Sequence, residues 1–133
     1  SPPKHDVGCI GYIYIVANKK SGKVYIGQTK STIELRWKQH IKTAQTKSSP
    51  TKGSLQEAIK AEGPASFICS QLAKAKTLDE LNTLEREFIS LYNSLDHSSG
   101  YNIARGGSGL TGGNKTRVGE KEYLSFEILA CHQ

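Results

Sequence analysis

Tyr12-Ile13-Tyr14-Ile15-Val16-Ala17, then Asn18-Lys19-Lys20-Ser21-Gly22, then Lys23-Val24-Tyr25-Ile26-Gly27: this stretch decides the fold. Two short runs of β-branched and aromatic residues flank a polar turn that contains glycine. That pattern predicts an antiparallel hairpin. Tyr12 and Tyr14 are two apart, so a strand places both on one face. Three tyrosines on one small hairpin carry more hydroxyls than a plain core accommodates, so one of its faces is expected to do chemistry.

Working outward, Ser31-Thr32-Ile33-Glu34 fits a capping box and predicts a helix from Ser31 to about Thr46. Lys52-Gly53-Ser54 precedes a short helix with Leu55, Ala58 and Ile59 at helical spacing, stopped by Gly63-Pro64. Ser66 to Ala73 reads as a strand. Thr77-Leu78-Asp79-Glu80 is a second capping box and opens a helix to about Asn93. Gly100 to Gly113 holds six glycines and reads as a loop. Leu124, Phe126 and Ile128 alternate with polar residues, which predicts a late strand over Lys121 to Leu129. Gln45 to Lys52 reads as a mobile loop. No internal repeat is present.

At 133 residues the chain is long enough for one domain with a modest core. The formal net charge of +6 is unevenly spread. Lys19 to Lys60 holds ten Lys/Arg against Glu34 and Glu57, a balance of +8; Thr77 to Ser99 has a balance of −4. A basic first half suits a polyanion, most simply nucleic acid, although a solubilising surface has the same charge. Cys9, Cys69 and Cys131 are an odd set with no close pair, which argues against a disulfide scaffold and for an intracellular, reducing compartment. Cys131-His132 lacks partners at metal-ligand spacing. No apolar stretch has the length of a membrane span, and no signal peptide opens the chain. A start at Ser1 without any methionine implies processing, or excision from a longer protein.

Polar residues on apolar helix faces mark the expected chemistry. On the first helix Ile33, Trp37, Ile41 and Ala44 form the inward stripe, with Arg36 and His40 beside it, one turn apart. Taken alone, a snorkelling arginine and a boundary histidine explain that pair. On the last helix the stripe is Leu81, Leu84, Phe88, Ile89 and Tyr92, and Glu85 falls inside it. A carboxylate there is costly to bury without a cation, either a metal or an internal partner such as Arg36. Glu87 lies off the stripe and is expected in solvent.

Five ordered elements resemble the GIY-YIG nuclease family: the Tyr14 and Tyr25-x-Gly27 pair on the hairpin, Arg36-Trp37-x-x-His40, Leu84-Glu85-x-x-Phe88-Ile89, and Gly100-Tyr101-Asn102-Ile103. Tyr12 stands where the family's first motif has glycine, and is left outside the core site. The resemblance covers residues 10 to about 107. It divides the chain into an extension at 1–9, a catalytic domain at 10–107 and a glycine-rich tail at 108–133 of unassigned role. It implies an α/β (α+β) fold, a small central antiparallel three-stranded sheet flanked by helices, as the pattern above also suggests.

The resemblance further implies hydrolysis of DNA phosphodiesters with one divalent metal, Mg²⁺, with Mn²⁺ as a substitute. Glu85 would hold the metal and Arg36 would contact the scissile phosphate with its planar fork. A tyrosine would activate the attacking water; since free phenol has a pKa of about 10, it needs either a depressed pKa, which Arg36 and the metal could supply, or a proton acceptor, which His40 could be. Tyr14 is assigned that role and Tyr25 that of second tyrosine and orienter, an order that the hairpin register could reverse. Asn102 would orient a tyrosine or close the loop. Gly27 would let backbone approach the phosphate, or simply end a strand. Lys30, Lys38, Lys42, Lys47 and Lys52 are the expected phosphate contacts. Within the nucleases, the Gly100-Tyr101-Asn102-Ile103-Ala104-Arg105-Gly106-Gly107 ending favours a homing or mobile-element enzyme over a restriction or a repair or junction nuclease. A non-catalytic nucleic-acid-binding module is the remaining alternative.

Overall fold

The structure is a computed structural model and describes residues 8–103. The strand expected at 121–129, the pair Cys131-His132 and the tail at 108–133 lie outside the described residues. In order the elements are β1 (Gly11–Asn18), β2 (Val24–Thr29), α1 (Ile33–Thr46), α2 (Leu55–Glu62), a 3-10 turn at Pro64–Ser66, β3 (Phe67–Ala75) and α3 (Leu78–Tyr92). The three strands form one antiparallel sheet in the order β2-β1-β3.

Asn18 organises the hairpin turn. Its Oδ1 accepts from the backbone N–H of Lys20 (2.8 Å) and Ser21 (3.2 Å), an Asx turn. Gly22 supplies the positive φ of 79° that closes it. The register then pairs Val16 with Tyr25 and Tyr14 with Gly27, so these four residues share one face of the sheet. Between Ile13 and Tyr14 the β1–β3 register shifts, a bulge that leaves Leu72 without a partner on β1.

Strand alternation gives β1 two different faces. Ile13 and Ile15 join Val24, Ile26, Leu72, Leu81, Phe88 and Ile89 in an apolar core under α3. Tyr14 and Val16 join Ala44, Leu55, Ile59, Phe67 and Tyr101 on the opposite face, under α1 and α2.

The helix ends follow local chemistry. Thr77 Oγ1 caps α3 by accepting from Glu80 N–H (3.1 Å), and Asn93 ends that helix in the left-handed region, φ 54°. Ser54 caps α2 and Gly63 ends it. In α1 the cap is Thr32, one residue later than expected: its Oγ1 accepts from Leu35 N–H (3.2 Å), while the Ser31 hydroxyl pairs with Thr29 Oγ1. Between α2 and β3 the chain runs through the 3-10 turn, and β3 extends two residues beyond the expected Ala73.

Two burial expectations are corrected. Glu87 is 6% exposed, not solvated, because the buried face of α3 is broader than one stripe. His40 is 2% exposed and points inward with Ala44, whereas Ile33, Trp37 and Ile41 are only partly buried. The inward face of α1 is thus centred on the imidazole. Among the described residues, no helix is long and apolar enough to cross a membrane.

Candidate active site

The aromatic face of the sheet converges on His40. The Tyr14 hydroxyl lies 2.7 Å from His40 Nε2, and the Gln56 amide nitrogen lies 3.0 Å from Nδ1. Tyr25 packs edge-on to the imidazole with centroids 5.3 Å apart, and 6.2 Å from the Tyr14 ring. Tyr25 and Arg36 stand close enough to the Tyr14 hydroxyl to bias its ionisation. β1, β2, α1 and α2 therefore each contribute to one polar chain: Tyr25, Tyr14, His40, Gln56, with Arg36 beside it.

Gly27 makes this arrangement possible. A β-carbon at that position would collide with the Tyr14 ring, which lies across the strand there. Its glycine is explained by the tyrosine seat; an approach of backbone to phosphate is not needed to account for it.

The electrostatics of the cluster follow from burial. Burial, then the neighbouring Tyr25, raises the Tyr14 phenol well above its usual range, and Arg36 opposes this. Burial, then Glu85, raises Tyr25, again opposed by Arg36. Burial and then the Arg36 charge push His40 down to about 4. At neutral pH the site therefore holds two protonated phenols, a neutral imidazole and one guanidinium. That combination can pass a proton inward and receive an anion outward.

Beside the cluster opens a cleft of about 370 Å³, lined among others by Tyr25, Lys47, Gln56, Glu85 and Asn102. Of the two tyrosines, Tyr25 borders this cleft, and Tyr14 is fully buried behind it. Glu85 reaches the cleft because β2 is an edge strand, past which a side chain of α3 can extend. Glu85 is 8% exposed as a residue, and its Oε1 accepts from Gln28 Nε2 at 2.8 Å; Gln28 also donates to Asn82 (2.9 Å). Asn102 spends both ends of its amide on the backbone of Ile26, accepting from N–H (2.8 Å) and donating to C=O (2.9 Å). Its visible work is to fasten the chain after α3 along β2, next to Tyr25. Tyr101 reinforces that closure, accepting from Asn18 Nδ2 at 2.9 Å.

Glu85 has the donor chemistry that a hard divalent cation takes. Its carboxylate is a hard oxygen donor, set in the wall of a cleft with room for water. Among the described residues no group of three or more His, Cys, Asp or Glu could hold a metal. Magnesium does not require such a cage, since it commonly takes one or two carboxylates, several waters and substrate phosphates.

The structure thus brings Tyr14, Tyr25, Arg36 and His40 into one cluster, and sets Glu85 and Asn102 on the adjoining cleft. Lys47 lies on the cleft wall; Lys30, Lys38, Lys42 and Lys52 are exposed outside it. Reading the sequence assigned no role to Gln28 or Gln56, which support Glu85 and His40. Gln28 had a usable signal, since it follows Tyr25-Ile26-Gly27 directly on the face toward α3. Gln56 had none, because a glutamine in a short helix is ordinarily a surface residue.

The chain belongs to the GIY-YIG catalytic-domain family, whose model matches residues 10–102. Two solved structures are similar to it. One is the catalytic domain of the homing endonuclease I-TevI, 33% identical with a TM-score of 0.59, matched over 71% of this chain and 98% of that one. The other is a glutamate-to-alanine variant of the catalytic domain of intron endonuclease I-TevI, 31% identical with a TM-score of 0.62, matched over 71% and 94%. The uncharacterised protein 019R of Invertebrate iridescent virus 6 is 34% identical over 97 residues; the match spans 71% of this chain and about a third of that protein, 34%.

Proposed function

We propose that this domain is a metal-dependent endonuclease that hydrolyses DNA phosphodiester bonds, and that it serves as the catalytic module of a homing or mobile-element enzyme. The observation that carries the chemistry is the chain from Tyr25 through Tyr14 to His40, flanked by Arg36 and open to a cleft that Glu85 lines. The homing role rests on the likeness to I-TevI and on the glycine-rich ending after Asn102.

Attack of water on phosphorus forms one P–O bond and breaks the bond to the leaving 3′-oxygen. The water proton must leave as its oxygen bonds to phosphorus. Tyr25 stands at the cleft and hands that proton inward while Tyr14 passes its own to His40, so neither buried phenol need exist as a free phenolate. Arg36 places a planar double donor next to the hydroxyls and binds the phosphate as its charge grows. An anionic phosphodiester at Arg36 also offsets the positive charge that depresses His40, making the imidazole a better acceptor once substrate is bound. Glu85 would hold the divalent ion, which when bound polarises the phosphate and stabilises the departing oxygen. Solvent protonates the 3′-oxygen and collects the proton from His40, restoring the site.

The exposed lysines of α1 and the following loop supply the phosphate contacts. The test is incubation with supercoiled and with linear DNA, in Mg²⁺ or EDTA, resolved on a gel. Nicked and linear products in Mg²⁺, absent in EDTA and with Glu85→Gln, are expected. Intact DNA in Mg²⁺, or equal cutting in EDTA, would overturn the reading.

A further inference from the structure

The hydrogen-bonded chain does not end at His40. Nε2 faces Tyr14 and Nδ1 faces the side-chain amide of Gln56, at 2.7 and 3.0 Å. Gln56 follows the core residue Leu55 in α2, is half-buried, and borders the cleft with Tyr25, Lys47 and Glu85. It therefore touches the imidazole on one side and the cleft on the other.

A neutral imidazole has one N–H and one lone pair. Burial and Arg36 keep His40 neutral at pH 7, so the group presented to Nδ1 decides what Nε2 offers Tyr14. With the amide NH₂ toward Nδ1, as in the structure, the ring proton sits on Nε2. The ring then donates to the Tyr14 oxygen and has no site for a phenol proton. With the amide carbonyl toward Nδ1, Nδ1–H donates to Oε1 and the Nε2 lone pair faces the phenol. A half-turn of the terminal amide reverses which arrangement is favoured, and the tautomers then exchange as one proton leaves Nε2 by way of the tyrosines to cleft water and one reaches Nδ1 from cleft water beside Gln56.

The cleft supplies a reason to turn. Phosphodiester oxygens only accept hydrogen bonds, so an occupant of that kind favours the NH₂ outward and the carbonyl inward. We infer that Gln56 is a positioning residue that sets the tautomer of His40, and that a DNA phosphodiester entering the cleft turns its amide and makes His40 competent to take the Tyr14 proton. This rests on the nuclease reading of the cleft. The proton balance is simple: the O–H of Tyr14 breaks as N–H forms at Nε2, and the imidazolium keeps its Nδ1–H bond to Gln56 Oε1. An empty site thus holds its proton acceptor in the unreactive form, a built-in guard against idle ionisation.

The experiment is a long-range ¹H–¹⁵N spectrum of ¹⁵N-histidine-labelled protein, with the His40 signals identified by their loss in His40→Gln. Free wild type is expected as the Nε2–H tautomer and Gln56→Glu as the Nδ1–H tautomer or the imidazolium, because a carboxylate only accepts. Duplex DNA with Ca²⁺ in place of Mg²⁺ is expected to convert wild type to Nδ1–H, and to leave Gln56→Met unconverted. In single-turnover cleavage Gln56→Met should lose about tenfold to hundredfold in saturated rate, at the low end of what a proton-transfer group contributes, with DNA affinity weakened only by the one lost hydrogen bond to phosphate. Gln56→Glu should recover the saturated rate while needing more DNA. A His40 tautomer that is the same in all three free proteins, or that DNA leaves unchanged in wild type, would overturn the inference. The spectra of the free proteins need no cleavage, so a failed nuclease reading and a failed tautomer assignment give different results.

Discussion

The two faces of one small sheet are built from different materials. Under α3 the packing is aliphatic and phenylalanine: Ile13, Ile15, Ile26, Leu72, Leu81, Phe88. Under α1 and α2 lie Tyr14, Phe67 and Tyr101, with the buried His40 among them. The core residues of the first face carry no ionisable side chain, although α3 also buries Glu85 and Glu87. The second holds hydroxyls and an imidazole that burial penalises, and its polar chain runs out to a cleft. One strand serves both, since Ile13 and Ile15 face one way and Tyr14 and Val16 the other. Stability is concentrated on the first face and chemistry on the second, and substitutions should separate them.

The largest expected effect is on the apolar face. Phe88→Ala should lower unfolding free energy by about 3–5 kcal/mol, the usual cost of emptying a buried aromatic site. Cleavage per folded molecule should stay near wild type, measured by denaturant melts beside single-turnover assays. On the other face Arg36→Ala should cost about 10²–10³ in cleavage rate, as removal of one charge-stabilising donor does elsewhere. Arg36 is half-buried and not part of the core, so its melt should shift little. A stability loss as large as that of Trp37→Ala would move Arg36 into the structural column.

A smaller effect separates the faces by pH. His40 faces Tyr14, Tyr25 and its helix neighbour Arg36, and its folded pKa is lowered to about 4 from the usual 6.5. Between those values the unfolded chain binds a proton that the folded chain does not. Stability should therefore be full above about 6.5, fall as pH drops toward 4, and lose no more from this group below that. The loss is on the order of 3 kcal/mol, from the size of the shift. His40→Gln should flatten this slope in melts taken across the window, and an unchanged slope would refute the buried neutral imidazole. The mildest effect is expected from Lys38→Ala with Lys42→Ala, both exposed and one turn apart on α1. DNA affinity should weaken alike for all sequences, and the salt slope should flatten by about 0.9 per lost phosphate contact. Binding in Ca²⁺ across a salt series measures it.

The apolar face was the easier one to read. Period-two alternation in Tyr12 to Ala17 and the 3.6-residue stripe of Leu81, Phe88 and Ile89 are repeated signals, and each repeat strengthens the rest. Thr77, Asn93, Gly63 and Pro64 bound their helices through local bonding, so those ends were legible within a residue or two. Single buried polar residues have no such redundancy. His40 read as a boundary residue because its inward direction is set by Tyr14 and Gln56 arriving from other elements. Glu87 read as solvated because helical periodicity describes a stripe and not how far neighbouring chain wraps it. Asn102 was read with two possible roles, and only the position of Ile26 shows its amide fastened to the edge of β2. Gln56 was invisible because its importance lies wholly in what stands across from it.

Adjacent residues of β1 give the most direct measurement. Tyr14→Phe removes one hydroxyl from the chemical face, and Ile15→Ala removes three carbons from the apolar face one residue away. Each variant would be followed by single-turnover DNA cleavage in Mg²⁺ and by denaturant unfolding. Tyr14→Phe should lose at least about 10² in rate, the scale of a lost proton-transfer group, while keeping a near wild-type melt. Ile15→Ala should lose about 2–5 kcal/mol of stability and cut at the wild-type rate where it remains folded. Cleavage by Tyr14→Phe at the wild-type rate would contradict the account, because the path from the cleft to His40 would then carry no proton.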